Sequence, residues 1–85
     1  MKNVIVYTKD GCCYCSAAKD LFLKKGIFFT ENNATFDPVL REEMIRKSGG
    51  GTTFPQIFIG NHHIGGYDDL ESMERSGELD SLLRP

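Results

Sequence analysis

A short apolar run, Val4-Ile5-Val6-Tyr7, gives way to a loop over Thr8 to Gly11 and then to apolar residues recurring at helical spacing, Ala18, Leu21 and Phe22. This strand–turn–helix opening constrains the chain more than any other feature. Four β-branched and aromatic residues in a row read as a buried strand. Such a strand needs a partner, and the next candidate, Ile27 to Glu31, lies beyond the helix. Lys24, Lys25 and Gly26 supply the helix stop, and Asp20 with Lys24 has the spacing of an i,i+4 pair. Strands joined through a helix run parallel.

The remaining elements follow from their breakers. Asp37-Pro38 is an N-cap and first-position pair for a helix through Ser48, closed by Gly49, with Glu42–Arg46 and Glu43–Lys47 as exposed pairs. Gln56 to Ile59 is a strand, Gly60-Asn61 a turn, and His62 to Ile64 the antiparallel return, broken by Gly65-Gly66. Asp68 with Glu71 has capping-box spacing for a helix ended by Gly77, and Leu79, Leu82 and Leu83 suggest a final helical turn on the core. The order is βαβαββα, an α/β fold. Residues 1–85 form a single domain, which buries only about 60–65% of its unfolded surface.

A hydrophobic content of 40% and a charged content of 26% are those of a folded globular chain. The net charge of −2 gives no reason to expect nucleic acid or an anionic membrane as partner. No secretory apolar region of about 7–15 residues is visible, and no run of about 18 apolar residues that would cross a membrane. The expectation is a cytoplasmic monomer. Thiols there are kept reduced, so an odd, clustered set of cysteines points to redox chemistry or metal and away from a disulfide framework.

All three cysteines lie in Gly11-Cys12-Cys13-Tyr14-Cys15, at the start of the first helix. Free N–H groups and the helix dipole stabilise an anion at such a place, and Lys9 adds a positive charge. Cys12, the outermost, is the expected nucleophile. Cys15, one turn inside, suits a second, resolving thiol, and thiolate attack on a disulfide sulfur is the expected chemistry. Zinc is the competing reading, but structural sites take four Cys/His ligands and the chain adds only His62 and His63 to one C-x-x-C. Adjacent strand residues point to opposite faces, so both histidines cannot turn to one ion. They are expected to face solvent, and no metal is expected. Cys13 lies about 100° around the helix from its neighbours and should point away from the substrate groove.

The segments "YTKDGCCYC", "TTFPQIFIG" and "IGGYDDL", in this order and spacing, resemble the signature segments of the dithiol glutaredoxins, the small bacterial members above all, over essentially the whole chain. The resemblance implies a thioredoxin-like fold with a four-stranded mixed sheet flanked by helices. It implies glutathione-dependent reduction of glutathionyl mixed disulfides and of protein disulfides, with glutathione as co-substrate. The implied partners are glutathionylated or disulfide-containing proteins, ribonucleotide reductase among the candidates. Carried over by position, Cys12 is the nucleophile and Cys15 the second redox cysteine, and Pro55 is the cis-proline beside the active sulfur. Phe54 pairs through its main chain with glutathione, next to Thr53. Gly66, Tyr67 and Asp68 meet the γ-glutamyl end, where Asp68 can also serve simply as a cap. Lys9, and second to it Arg41, meets the glycyl carboxylate, and Tyr14 lines the site. Two residues depart from the pattern: Phe54 replaces the usual valine and Cys13 the usual proline. Relatives without that proline include members that bridge an iron–sulfur (2Fe-2S) cluster between two protomers, so a cluster carrier or sensor is the alternative reading.

Overall fold

The computed structural model describes residues 2–84, which form one four-stranded sheet with helices on both faces. β1 (Val4–Thr8) leads into α1 (Cys13–Lys24), and β2 (Thr30–Asn33) into α2 (Pro38–Lys47). β3 (Gln56–Ile59) turns back as β4 (His62–Gly65), and α3 (Tyr67–Ser76) and α4 (Glu78–Leu83) follow. The strand order is β2-β1-β3-β4, with β1 and β2 parallel and the other neighbours antiparallel. This is the thioredoxin-like arrangement of a mixed sheet flanked by helices. The helix-separated pair is the parallel one and the tight turn makes the hairpin, as the connection lengths require.

Alternation along the strands divides the core in two. Val4, Val6, Ile57 and Ile59 pack with Ala18 and Phe22 of α1, Leu70 of α3, and Leu79 and Leu83 of α4. Tyr7 and Phe58 turn to the other face and pack with Met44 of α2, supported by Ile5, Leu40 and Ile45. Each large apolar side chain removed from water contributes about 1.5–3 kcal/mol, so every helix is held to the sheet by its buried stripe. The segment Asp37-Pro38 caps α2 as expected, with the Asp37 carboxylate accepting the Leu40 N–H at 3.1 Å.

Several local expectations are corrected. The second strand starts at Thr30, not at Ile27. The Ile27 N–H closes α1 on the Phe22 carbonyl at 2.9 Å, and Ile27 and Phe29 pack on the core before the ladder begins. The apolar residues therefore belong to the helix stop, and the paired residues are the polar ones that follow. Gly65 does not break β4 but pairs with Ile57. α3 begins earlier than the Asp68–Glu71 spacing implied: Gly66 is its N-cap, and Asp69 Oδ2 accepts the Gly66 N–H at 3.1 Å. Glu71 instead accepts the Tyr67 hydroxyl at 3.0 Å.

The intrahelical pairs expected in α1 and α2 are not among the ion pairs of the described residues, which mostly join different elements. Lys25 Nζ lies 2.8 Å from Glu74 and 2.6 Å from Asp80, joining the end of α1 to α3 and α4. Lys19 reaches Glu31 of β2 at 3.0 Å. Exposed i,i+4 pairs gain little from immobilising two long side chains, and the one that forms, Glu71–Arg75 in α3, is long at 3.5 Å, whereas Lys25 is mostly buried among its partners.

Candidate active site

The loop after β1 delivers Cys12 to the N-cap of α1, with φ −97° and ψ 111°. That extended backbone turns its sulfur back over the first helical turn, where the Cys15 N–H donates to Sγ at 3.3 Å. The loop itself is pinned to the end of β2: the Asp10 N–H donates to Thr35 Oγ1 at 2.7 Å, and Asn33 Nδ2 donates to Asp10 Oδ1 at 2.9 Å. From the other side comes the segment before β3. Cys12 Sγ donates to the Phe54 carbonyl at 3.8 Å, and the Phe54–Pro55 bond is cis. A helix N-terminus and a proline-bearing segment thus meet at one sulfur.

The three thiols have different surroundings, and none is in a disulfide. Cys12 is half-buried, Cys13 is exposed, and Cys15 is 2% exposed. Burial pushes the Cys15 thiol up to about 12, and its hydrogen bond with Cys12 adds to the rise. Cys15 therefore holds its proton near neutral pH. Cys12 Sγ faces a fixed N–H donor and is reachable from outside, the two things asked of an attacking sulfur.

The chain positions expected at a glutathione site fall into two groups. Tyr14, Thr53, Phe54, Pro55, Gly66, Tyr67 and Asp68 together line one open cleft of about 270 Å³. The Tyr14 and Tyr67 rings stack across it, 5.9 Å apart and 28° from parallel. The hydrogen bond to Glu71 raises the Tyr67 phenol above its ordinary range, so the ring stays neutral. Lys9 and Arg41 do not line this cleft but flank it: Lys9 Nζ lies 5.7 Å and Arg41 Cζ 5.6 Å from the centre of the Phe54 ring. Both are within reach of a cation–π attraction. The Phe54 ring thus gathers two cations, and the Asp68 carboxylate belongs to the lining of the cleft itself.

None of the three cysteines is among the residues lining that cleft. Cys13 lines a neighbouring hollow of about 360 Å³ with Cys12, Cys15, Lys9, Lys19 and Glu31. There the Thr8 hydroxyl, donating at 2.7 Å, and then Lys19 hold the Glu31 carboxyl below its ordinary range. A larger hollow of about 640 Å³ between β4 and the last helices touches no cysteine, so size does not mark the site.

Two participants escaped the reading by residue type. Asp69 lines the cleft beside Asp68 and fixes the Gly66 N–H; the spacing to Glu71 drew attention to Asp68 instead. His63 is exposed, as expected, and its Nε2 also lies 2.7 Å from Oε1 of buried Gln56 while its ring stacks on Phe58 at 4.9 Å. No short-range pattern links positions 56 and 63.

Comparison with known proteins agrees with this geometry. The family model described as Glutaredoxin matches residues 4–64. Glutaredoxin 3 of Escherichia coli (strain K12) is 50% identical over 84 residues, covering 99% of this chain and 100% of the relative. The solution structure of glutaredoxin from Brucella melitensis superposes with a TM-score of 0.83 at 54% identity, covering 98% of this chain and 89% of that one. The crystal structure of the buckwheat glutaredoxin–glutathione complex gives a TM-score of 0.86 at 29% identity, with 96% of this chain and 76% of that one covered.

Proposed function

The chain belongs to the glutaredoxin family of thiol–disulfide oxidoreductases, and on that premise we propose that it is a glutathione-dependent reductase of glutathionyl mixed disulfides and protein disulfides, acting in the cytoplasm. The observation that carries the proposal is the surroundings of Cys12 Sγ. It receives a helix N-terminal N–H at 3.3 Å and lies against the carbonyl of Phe54, whose ring draws Lys9 and Arg41 and which lines a cleft together with Asp68. A γ-glutamyl tripeptide has the matching charges: carboxylates at both ends, an ammonium at the γ-glutamyl end, and a sulfur between them. Lys9 and Arg41 suit its glycyl carboxylate, Asp68 its ammonium, and the N–H groups opening α3 its α-carboxylate.

In the proposed reaction the Cys12 thiolate attacks the glutathione sulfur of a protein–glutathione disulfide. The protein sulfur leaves as thiolate and takes up a proton from water, and Cys12 carries the glutathionyl group. A second glutathione thiolate attacks the glutathionyl sulfur, forming oxidised glutathione and returning the Cys12 thiolate. With a protein disulfide, Cys12 first forms a mixed disulfide with the substrate. Cys15, once deprotonated, attacks Cys12 Sγ, expels the substrate thiol, and leaves a Cys12–Cys15 disulfide that two glutathione molecules reduce. Part of what holds the proton on Cys15 is its contact with Cys12. Converting Cys12 to a disulfide removes the negative charge, so Cys15 becomes easier to ionise when its thiolate is needed.

Turnover of a glutathionylated peptide, with glutathione as the only reductant, tests the reading. The wild type should turn over, and Cys12→Ser should fall to background because an alcohol is a poor nucleophile toward sulfur. No turnover by the wild type, or substantial turnover by Cys12→Ser, would reject it. Carriage of an iron–sulfur cluster between two copies draws support only from Cys13 standing where the family's proline does. Anaerobically purified protein without visible absorbance would remove that reading.

A further inference from the structure

Gln56 opens β3 immediately after Pro55 and is 5% exposed, so its amide must find its partners inside the protein. Its nitrogen finds both of its partners on the segment that borders Cys12. Nε2 donates to the Thr53 carbonyl at 3.0 Å and to Thr53 Oγ1 at 3.2 Å. A carbonyl can only accept, so the atom facing Thr53 is the amide nitrogen and the oxygen faces the other way, toward His63 Nε2 at 2.7 Å. An amide oxygen also only accepts. His63 Nε2 therefore carries a proton, in the neutral Nε2–H tautomer or in the imidazolium.

The surroundings hold this relay in place. His63 pairs directly with Phe58 across the ladder and stacks on its ring at 27°, and an irregularity in the register at Ile57–Phe58 follows it. On the opposite side, a Cβ at Gly51 would stand 2.9 Å from Gln56 Nε2 and 2.6 Å from Ser48 Oγ. The absence of a side chain at Gly51 is what lets the backbone close over the amide.

We propose that His63 is a positioning residue for the substrate cleft: acting through Gln56, it fixes Thr53 and so the Phe54 carbonyl and Pro55 beside Cys12. The inference rests on the glutathione-dependent reading above and extends it to a residue on the edge strand that touches neither substrate nor sulfur.

Kinetics with a glutathionylated peptide and glutathione separate this role from a merely structural one. His63→Phe keeps a ring to stack on Phe58 but cannot donate, whereas His63→Gln restores a donor. His63→Phe should raise KM about five-fold, the effect of one neutral hydrogen bond, with kcat changed by less than about two-fold, and His63→Gln should return KM to within about two-fold of wild type. An unchanged KM in His63→Phe, or a His63→Gln as impaired as His63→Phe, overturns the proposal. Nitrogen NMR of the wild type at neutral pH supplies a test independent of turnover: the His63 ring should carry its proton on Nε2, and a ring protonated on Nδ1 alone overturns the relay. If the wild type fails to turn over the peptide, the glutathione reading falls, and the ring protonation still decides whether the relay exists.

Discussion

Cys15 sits under the first turn of α1, where almost none of it meets water, and its proton is held there by burial first and by Cys12 second. That has a consequence for stability. An unfolded thiol titrates near 9.0 and the folded Cys15 at about 12. Between those values the native state keeps a proton that the unfolded state has lost, so the contribution is complete below pH 9 and is lost as pH rises through 12. Reduced wild-type protein should lose stability over this window by up to about 1.4 kcal/mol more per pH unit than Cys15→Ala does. Denaturant unfolding of both proteins from pH 8 to 11 checks it, and parallel curves would show that burial of this thiol is not linked to folding. Phe54 makes a related point about what residue type conceals. As a replacement for valine it predicts only a changed apolar contact. In the folded chain its ring lies within cation–π reach of both Lys9 and Arg41.

At the scale of the element, the first turn of α1 is where this chain departs from the family pattern and where the departure can be reversed. Cys13 is the first helical residue, and Cys12 before it has the extended backbone that a following proline requires. A proline at the first helical position forfeits no intrahelical hydrogen bond and restricts the unfolded chain. Cys13→Pro should therefore stabilise the protein by about 0.4–1 kcal/mol, seen as a Tm higher by several degrees, with turnover within a few-fold of wild type. A lower Tm would mean that the turn needs the freedom Cys13 allows. The helices were legible in the sequence because their signals are local: Asp37-Pro38 opens α2, and Gly77, at φ 84°, ends α3. The bounds of β2 are not legible in this way because its paired residues are polar, and only the register against Ile5 to Thr8 says where pairing begins. The start of α3 is not legible either, because Asp68 and Asp69 are adjacent carboxylates, and the path of the chain through Gly65 and Gly66 selects between them.

Over the whole molecule, the order of strands and helices could be read from connection lengths, and C-x-x-C at a helix start identified the chemistry. Assembly of the site could not be read in the same way. The Cys12–Phe54 contact spans 42 positions, and Gln56 meets His63 across a hairpin; such pairings exist only once the sheet has brought β1, β3 and β4 together. Their shared product is the placement of the Cys12 sulfur between α1 and the Pro55 segment, and the central claim is that this sulfur alone receives the glutathionyl group. Cys15→Ser, which lacks the resolving thiol, can be mixed with a glutathionylated peptide without free glutathione, quenched with acid and mapped by mass spectrometry. One glutathionyl group should be found per chain, on the peptide containing Cys12 and on Cys12 itself within it. A glutathionyl group on Cys13, or an unmodified protein after the peptide thiol has been released, would contradict the account.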